Sequence, residues 1–291
     1  MMAILLSAMA LLGAEPGVAP KVYFQSHRGG LEEVPENTLA AVEHSWNIPG
    51  AVPEVDLVTT SDGVIICLHD RTLERTTDAP APDSELFINE MTYDRIRQHD
   101  AGVKFGEQFK GTPVPALEEV FIRMVGKPER ELYLDLKAVQ LDALAALIDR
   151  YNLRNQVLFV HGVPTMCRKL SQLWPGARVM TWISDPPEVL MKRFEKMAEE
   201  DFFGVKQLQF HLHAQPGGPP YVYELDDAYL KAAIERLAAK GIALQIRPFE
   251  FDAESLGKLI DLGVVWYVTD APKKFSEAVQ AASVIPAKAG I

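Results

Sequence analysis

The sequence predicts an α/β chain folded as a TIM (β/α)8 barrel with a small insertion after the second strand. From Lys21 onward, short apolar segments alternate with amphipathic ones, which is typical of a parallel sheet covered by helices on both faces. With one hairpin strand set aside, each kind of segment occurs eight times, and eight βα units close a barrel. An open doubly wound sheet is the alternative, although no glycine-rich phosphate loop follows the first strand.

Strands are predicted at short apolar runs, and helices where apolar residues recur with a helical period. The predicted strands are 22–24, 52–58, 64–68, 132–136, 157–160, 179–183, 208–212, 242–246 and 264–268. The predicted helices are 38–46, 117–124, 141–151, 165–173, 188–200, 228–240, 253–262 and 273–281. Asp226 or Asp227 is a suitable N-cap for the sixth of these helices, which Gly241 ends.

One hairpin and one long irregular stretch interrupt the alternation. Ser61-Asp62-Gly63 is a turn between two predicted strands, so it indicates a hairpin that extends the second strand. Residues 71–116 are rich in Pro, Asp and Gly, and so long a connection inside a domain usually has a function. We expect a lid or small subdomain there. The barrel is predicted to span 21–282, followed by a loose tail at 283–291.

The charge balance limits the possible partners. The 291 residues include 29 Lys and Arg against 40 Asp and Glu, which gives a net charge of −11. Such an acidic surface repels a nucleic acid backbone, so no nucleic acid partner is expected. An anionic small molecule would need a local positive patch or a bound cation. Cys67 and Cys167 lie in apolar or helical segments and are expected to be buried rather than paired in a disulfide framework.

The N-terminal segment is typical of a secretory signal. Residues 1–12 are almost entirely apolar but too few to span a bilayer. Small residues suitable for cleavage are present at Ala8, Ala10 and Ala14. The usual basic start is missing, because no Lys or Arg precedes Lys21. We expect 1–20 to be a signal peptide and leader, and the mature protein to be periplasmic or secreted. A misassigned start or a buried N-terminal helix, in a cytoplasmic protein, is the alternative.

Charged and polar side chains follow the first strands at the carboxyl ends, which in a barrel form the functional face. In chain order they are His27, Arg28, Glu54, Asp56, His69, Asp70, Asp135 and Lys137. Because strand side chains alternate, Glu54 and Asp56 point to the same side, as do Asp135 and Lys137. Arg28 and Lys137 could be ordinary ion-pair partners of these carboxylates.

Glu54 and Asp56 are predicted to bind a divalent cation. They lie in an otherwise apolar segment, and two carboxylates on one side of a barrel strand repel each other unless something neutralises them. Oxygen ligands select a hard ion, Mg²⁺ or Ca²⁺, whereas zinc would favour His or Cys. An ordinary structural charge is the alternative.

His27 and His69 are predicted to be catalytic, because they flank the carboxylate strand and an imidazole exchanges protons near neutral pH. The alternative is a capping or core histidine at each position. Residues at later strand ends are weaker candidates for lining the pocket: His161, Trp182, His211, His213 and Arg247. No G-x-S-x-G motif is present, so a serine hydrolase is not supported.

In these residues the sequence resembles the glycerophosphodiester phosphodiesterase family over 21–282. The motifs that carry the resemblance are His27-Arg28-Gly29-Gly30, Pro35-Glu36-Asn37-Thr38, Glu54-x-Asp56, Ser61-Asp62-Gly63, His69-Asp70, Leu73-x-Arg75-Thr76-Thr77, Pro115-x-Leu117-Glu118-Glu119, Asp135-x-Lys137 and Thr269-Asp270-x-Pro272. The resemblance implies a TIM barrel with a small insertion after the second strand. It also implies hydrolysis of glycerophosphodiesters to an alcohol and sn-glycerol 3-phosphate, with one divalent cation, Mg²⁺ or Ca²⁺.

The resemblance further implies individual roles. They are His27 and His69 as the acid/base pair, Glu54, Asp56 and Asp135 as metal ligands, and Arg28 and Lys137 as phosphate contacts. Asp135 stands where the family usually has Glu, and its shorter side chain would coordinate directly or through water. The family pattern is also replaced at 245–250 and at His161-Gly162, on the expected substrate-facing rim. The identity of the alcohol is therefore less defined than the chemistry.

The expected partner is a small-molecule glycerophosphodiester. A phospholipase D-like or lyase relative that acts on phospholipid is an alternative, although no interfacial amphipathic helix indicates membrane association after signal cleavage. A non-catalytic barrel that binds a phosphate ligand is a second alternative. A carboxylate-only glycosidase fits least, because it leaves both histidines and Lys137 unexplained.

Overall fold

The computed structural model describes residues 22–283, so the predicted signal segment and the tail after Ser283 lie outside the described residues. The strands are β1 Tyr23–Ser26, β2 Ala51–Thr59, β3 Ile65–Cys67, β4 Leu132–Ala138, β5 Val157–Val160, β6 Arg178–Ile183, β7 Gln207–Leu212, β8 Ala243–Pro248 and β9 Trp266–Thr269. The helices are α1 Leu39–Trp46, α2 Tyr93–Ile96, α3 Leu117–Met124, α4 Leu141–Tyr151, α5 Pro164–Leu173, α6 Pro187–Glu199, α7 Asp227–Ala238, α8 Ala253–Asp261 and α9 Pro272–Ala282. Within this part of the chain, no helix has the length and apolarity needed to cross a membrane.

The sheet closes into a barrel. β1 pairs in parallel with both β2 and β9, and the remaining barrel strands follow in the order β4 to β8 between them. β3 pairs antiparallel with β2 and lies outside the parallel ring, as the Ser-Asp-Gly turn predicts. The predicted TIM barrel and its hairpin extension are therefore confirmed, and the open doubly wound alternative is wrong.

Alternation along each strand separates an outer core from the barrel interior. On β4, Leu132, Leu134 and Leu136 belong to the main core formed with the surrounding helices. Tyr133, between them in sequence, faces the other side and joins a small interior cluster. That cluster also contains Val52 of β2, Leu158 and Val160 of β5, and Met180 of β6. Residues that follow Tyr133 with the same period, Asp135 and Lys137, therefore share the interior side of β4.

The long irregular stretch has an apolar core of its own. Leu73, Ile88, Met91 and Ile96 are buried against one another and against residues of the β2–β3 hairpin. Three short helical turns lie within it, at Ile88–Glu90, Tyr93–Ile96 and Glu107–Phe109. The stretch is thus a small folded insertion beside the barrel; a role as a lid stays a prediction.

A tight turn after β1 positions the first candidate residues. His27–Gly29 form a 3-10 turn in which Arg28 has φ 53° and Gly29 has φ 82°, both in the left-handed region. A Cβ atom on Gly29 would lie only 2.5 Å from the Cβ of Ala41 on α1. Glycine is therefore required at this position both for its backbone conformation and for the close approach of the helix.

We expect Gly29→Ala to lower the free energy of unfolding by about 1–3 kcal/mol, because it adds a steric clash to an unfavourable φ. Gly63→Ala is the matched control, since Gly63 has φ 84° but an added Cβ there would have no heavy atom within 4 Å. Urea denaturation of both variants checks this. Equal losses of stability would contradict the argument from close approach.

Candidate active site

Three carboxylates meet inside the barrel, two on β2 and one on β4. Asp56 and Asp135 are register partners in the parallel β2–β4 pair, and Glu54 precedes Asp56 by one inward-facing position. One carboxylate oxygen from each residue lies within 4.8 Å of the others. All three residues are buried, with exposures of 1%, 0% and 7% for Glu54, Asp56 and Asp135. The predicted convergence is confirmed; their role as metal ligands stays a prediction.

The two basic residues of the sequence prediction contact this cluster. Lys137 Nζ lies 2.8 Å from Asp135 Oδ2 and 3.1 Å from Asp56 Oδ1, and Arg28 Nε lies 3.5 Å from Asp56 Oδ2. These two positive charges compensate the negative charge of Glu54 only in part. Burial, together with the charges of Asp56 and Asp135, raises the pKa of Glu54 to about 8. Burial also raises the pKa of Asp135.

The cluster fits a hard divalent cation. Its donors are all carboxylate oxygens, the ligand type that Mg²⁺ and Ca²⁺ prefer. Without a cation, burial and the neighbouring carboxylates favour the protonated form of Glu54, so its pKa is raised. A dication would supply the missing positive charge and favour loss of that proton. Asp135, despite being shorter than Glu, still has an oxygen within the common 4.8 Å sphere.

Asn37 holds the central carboxylate in place. Its Nδ2 donates to Asp56 Oδ2 at 2.8 Å, and its Oδ1 accepts from the backbone N–H of Asp56 at 2.8 Å. Asn37 itself has φ 58°, a left-handed conformation that asparagine tolerates better than most residues. Glu54 is held in a similar way, because Gln25 Nε2 and the backbone N–H of Arg28 both donate to Oε2 at 3.2 Å.

His27 is oriented by a carboxylate from the last strand. Its Nδ1 lies 2.6 Å from Asp270 Oδ1, just beyond β9, and Arg247 Nη2 donates to both oxygens of Asp270 at 2.9 and 2.8 Å. Although burial favours the protonated form of Asp270, the His27 hydrogen bond and the Arg247 charge lower its pKa to about 2. Burial lowers the pKa of His27 below 6.5, and the Arg247 charge acts in the same direction.

His69 has the same kind of support on the other side. Its Nδ1 lies 2.7 Å from Asp70 Oδ1, and Arg75 Nε donates to Asp70 Oδ2 at 2.5 Å. A hydrogen bond at Nδ1 selects the tautomer in which Nε2 is the ring nitrogen left for proton exchange. Each predicted catalytic histidine therefore donates to an aspartate that is itself bound by an arginine.

Several residues that orient the site have no assigned role in the sequence prediction. Asp70 and Arg247 appear there as residues at strand ends, whereas Glu36, Asn37, Arg75 and Asp270 appear only within the family motifs; all six hold a site residue or its partner. For Asp70, the available signal is its position directly after His69 in the sequence. Asp270 is separated from His27 by 243 positions, so no local pattern could connect them.

Side chains at the carboxyl ends of β7 and β8 form a rim that is separate from the acidic cluster. His213 stacks on Phe249 with ring centroids 4.4 Å apart, and the Arg247 guanidinium lies 4.9 Å from the same Phe249 ring. His211 Nε2 is 2.6 Å from Gln209 Nε2, and burial lowers the pKa of His211 to about 3, so this imidazole is neutral. His211 and His213 are thus arranged as rim residues rather than as a metal pair.

Comparison with known proteins gives a consistent result along the chain. The model of the family described as "Glycerophosphoryl diester phosphodiesterase family" matches residues 27–274. A glycerophosphodiester phosphodiesterase of Caldanaerobacter subterraneus is 33% identical over 139 residues, covering 46% of this chain and 55% of the relative. One from Bacillus subtilis is 26% identical over 270 residues, covering 86% of this chain and 84% of the relative. For the first relatives matched, the chain spans about half of their length.

Solved structures share the fold. A phosphodiesterase of Oleispira antarctica, solved in complex with the product sn-glycerol-3-phosphate, has a TM-score of 0.68 at 21% identity, covering 89% of this chain and 96% of that chain. A protein of Silicibacter pomeroyi described as a glycerophosphoryl diester phosphodiesterase has a TM-score of 0.70 at 19% identity, covering 94% and 97%. At these identities the likeness establishes the barrel alone. The family model, which matches most of the chain and includes His27, Glu54, Asp56 and Asp135, shows that the chain belongs to the glycerophosphoryl diester phosphodiesterase family.

Proposed function

We propose that this protein is a metal-dependent hydrolase that cleaves glycerophosphodiesters to an alcohol and sn-glycerol 3-phosphate. The observation that carries the proposal is the buried trio of Glu54, Asp56 and Asp135 at the functional face of the barrel. His27 and His69, each held by an aspartate, supply two groups that exchange protons. Family membership and the product bound to the Oleispira antarctica relative support this substrate class.

The trio would hold one divalent cation, Mg²⁺ or Ca²⁺. When bound, such an ion stabilises negative charge on phosphoryl oxygens as a Lewis acid. Arg28 and Lys137 are the chain's own positive groups at this place, and both already contact the trio. With the cation neutralising the carboxylates, these two side chains are available to bind the non-bridging oxygens of a phosphodiester. This local positive charge offsets the repulsion of an anion by a chain of net charge −11.

The two imidazoles perform complementary proton transfers. One accepts the proton of the attacking hydroxyl, from water or from the glycerol moiety of the substrate, as its oxygen bonds to phosphorus. The other donates a proton to the bridging oxygen as its bond to phosphorus breaks and the alcohol leaves. Asp270 and Asp70 hold the two Nδ1–H groups, so that Nε2 of each ring carries out the exchange.

The surroundings of the reaction form part of the same proposal. The proposed substrate is a small molecule, the acidic charge disfavours a nucleic acid partner, and no membrane association is proposed. We also propose that the protein acts in the periplasm or outside the cell, on the basis of the apolar segment 1–12 alone. The headgroup is left open, because residues 245–250 and His161-Gly162, on the expected substrate-facing rim, depart from the family pattern.

We expect His27→Ala and His69→Ala each to reduce the release of glycerol 3-phosphate from glycerophosphocholine by about 100-fold or more, because each removes a proton-transfer group. Mg²⁺ and Ca²⁺ binding, measured by calorimetry, should change little. His99→Ala is the matched control, since His99 is also part-buried and pairs with an aspartate, Asp83, but lies in the insertion. Near-normal turnover in either catalytic variant would disprove the acid/base assignment.

We expect EDTA to abolish turnover of glycerophosphocholine, and added Mg²⁺ or Ca²⁺ to restore it, because three carboxylates without a cation would repel the phosphate. A coupled assay for glycerol 3-phosphate measures this across several metals and glycerophosphodiesters. Full activity in chelator would exclude the cation. Cleavage of lysophospholipid vesicles in place of glycerophosphodiesters would favour the phospholipase D-like alternative. Tight binding of a diester without any product would favour the alternative of a non-catalytic barrel.

We expect cation binding to release a proton and to tighten as the pH rises from about 6 to 8. The direction follows from Glu54, whose pKa of about 8 keeps it protonated below that pH until a cation displaces the proton. Calorimetry at pH 7 in buffers of different ionisation enthalpy measures the released protons. Glu54→Gln has no proton to lose and serves as the control; a wild-type titration without proton release would contradict the assignment.

A further inference from the structure

One arginine outside the acidic cluster bridges two carboxylates, one in contact with His69 and the other in contact with Arg28. Arg75 stands at the start of the insertion, and its side chain is 47% exposed. Nε donates to Asp70 Oδ2 at 2.5 Å, while Nη1 and Nη2 donate to Glu36 Oε2 and Oε1 at 2.7 and 2.8 Å. All three guanidinium nitrogens are therefore used to bridge two carboxylates.

Each of these carboxylates contacts a residue assigned a direct role. Asp70 Oδ1 accepts a hydrogen bond from His69 Nδ1 at 2.7 Å. Glu36 Oε1 accepts a second hydrogen bond, from Arg28 Nη1 at 3.1 Å. A continuous chain of contacts thus runs from the His69 imidazole through Asp70, Arg75 and Glu36 to the Arg28 guanidinium. The guanidinium of Arg75 donates its hydrogen bonds to Asp70 and Glu36 and not to the metal-binding trio, so it acts at one remove.

The backbone that carries Arg75 is itself fixed. Leu73 is fully buried in the core of the insertion, and the Thr77 hydroxyl donates to the Leu73 carbonyl at 2.8 Å. The Thr77 backbone N–H donates to the same carbonyl at 3.1 Å. The guanidinium therefore projects toward the site from a hydrogen-bonded turn anchored by packing. The insertion is in this way attached to both the His69 loop and the turn after β1.

We propose that Arg75 is a positioning residue that orients the His69 imidazole and the Arg28 guanidinium together, and so couples proton transfer to phosphate binding. The inference rests on the proposed function for its kinetic consequences. A planar guanidinium holds two carboxylates at fixed angles, whereas an ammonium supplies a charge without that geometry. Residues that orient groups in contact with a substrate typically change activity by about 10- to 100-fold when they are removed.

The competing explanation is that Arg75 forms an ordinary surface ion pair with a role in stability only. Arg95 provides the matched control for this. It lies in the same insertion, is 43% exposed, and forms a two-nitrogen contact with Asp83 that does not connect to the site. Arg75→Ala and Arg95→Ala thus remove comparable exposed arginine–aspartate pairs, only one of which leads to His69 and Arg28.

The experiment compares Arg75→Ala, Arg75→Lys and Arg95→Ala with the wild type in glycerophosphocholine hydrolysis. We expect Arg75→Ala to lower kcat and to raise KM, with a combined loss of about 10- to 100-fold in kcat/KM. Arg75→Lys should recover only part of this loss, and Arg95→Ala should stay within about two-fold of wild type. Added methylguanidine should restore activity to Arg75→Ala, as a stability role would not, and should leave Arg95→Ala unchanged.

A second measurement, by NMR, requires neither enzymatic turnover nor a folded Arg75→Ala variant. The Nδ1–H proton of His69, assigned in the NMR spectrum by its loss in His69→Gln, should shift or broaden in Arg75→Lys and stay unchanged in Arg95→Ala. An unchanged signal together with wild-type kinetics in Arg75→Lys and Arg75→Ala would overturn the inference. A wild-type protein that hydrolyses no glycerophosphodiester would refute the proposed function instead, while the NMR comparison would still decide the role of Arg75.

Discussion

The arrangement depends on the placement of three carboxylates at one point inside the barrel. Glu54, Asp56 and Asp135 lie on adjacent parallel strands, so their oxygens come within 4.8 Å of one another in a buried environment. Such a cluster is costly unless positive charge compensates it. Lys137 and Arg28 provide part of that charge, and the raised pKa of Glu54, which burial and the neighbouring carboxylates cause, shows that the compensation is incomplete. In the proposed function, the cost of assembling the cluster is what would favour the binding of a dication.

Charged side chains also hold the two histidines in position. Asp270 and Asp70 each accept the Nδ1–H of an imidazole, and Arg247 and Arg75 each neutralise one of these aspartates. At His27, Asp270 fixes the tautomer by accepting the Nδ1–H, and the contact of Asp270 with Arg247 limits how far the aspartate raises the pKa of His27. The pKa of His27, lowered mainly by burial and next by the Arg247 charge, agrees with this balance.

The two halves of the barrel contribute differently. The first half, together with the insertion, carries the acidic trio, His69 and the chain of contacts through Arg75. The second half contributes Asp270 and Arg247, which support His27, and a rim in which His213 stacks on Phe249. The acidic trio and the rim therefore lie on different strands, so a change in the rim residues leaves the position of the trio unaffected. In a barrel this separation follows from having each strand end in its own loop.

The barrel can be read from the amino-acid sequence, because apolar periodicity sets which segments become strands and which become helices, and parallel strands bring their carboxyl ends to one face. The common direction of Glu54 and Asp56 can be read in the same way, since the period along a strand is two. The pairing of each carboxylate with its histidine depends instead on how the chain folds. Asp70 is adjacent to His69, but Asp270 reaches His27 across 243 positions because β1 and β9 are neighbours in the closed sheet. Likewise, Arg75 and Glu36 meet because the insertion packs beside β2, and no local pattern encodes a contact formed by folding the chain back on itself.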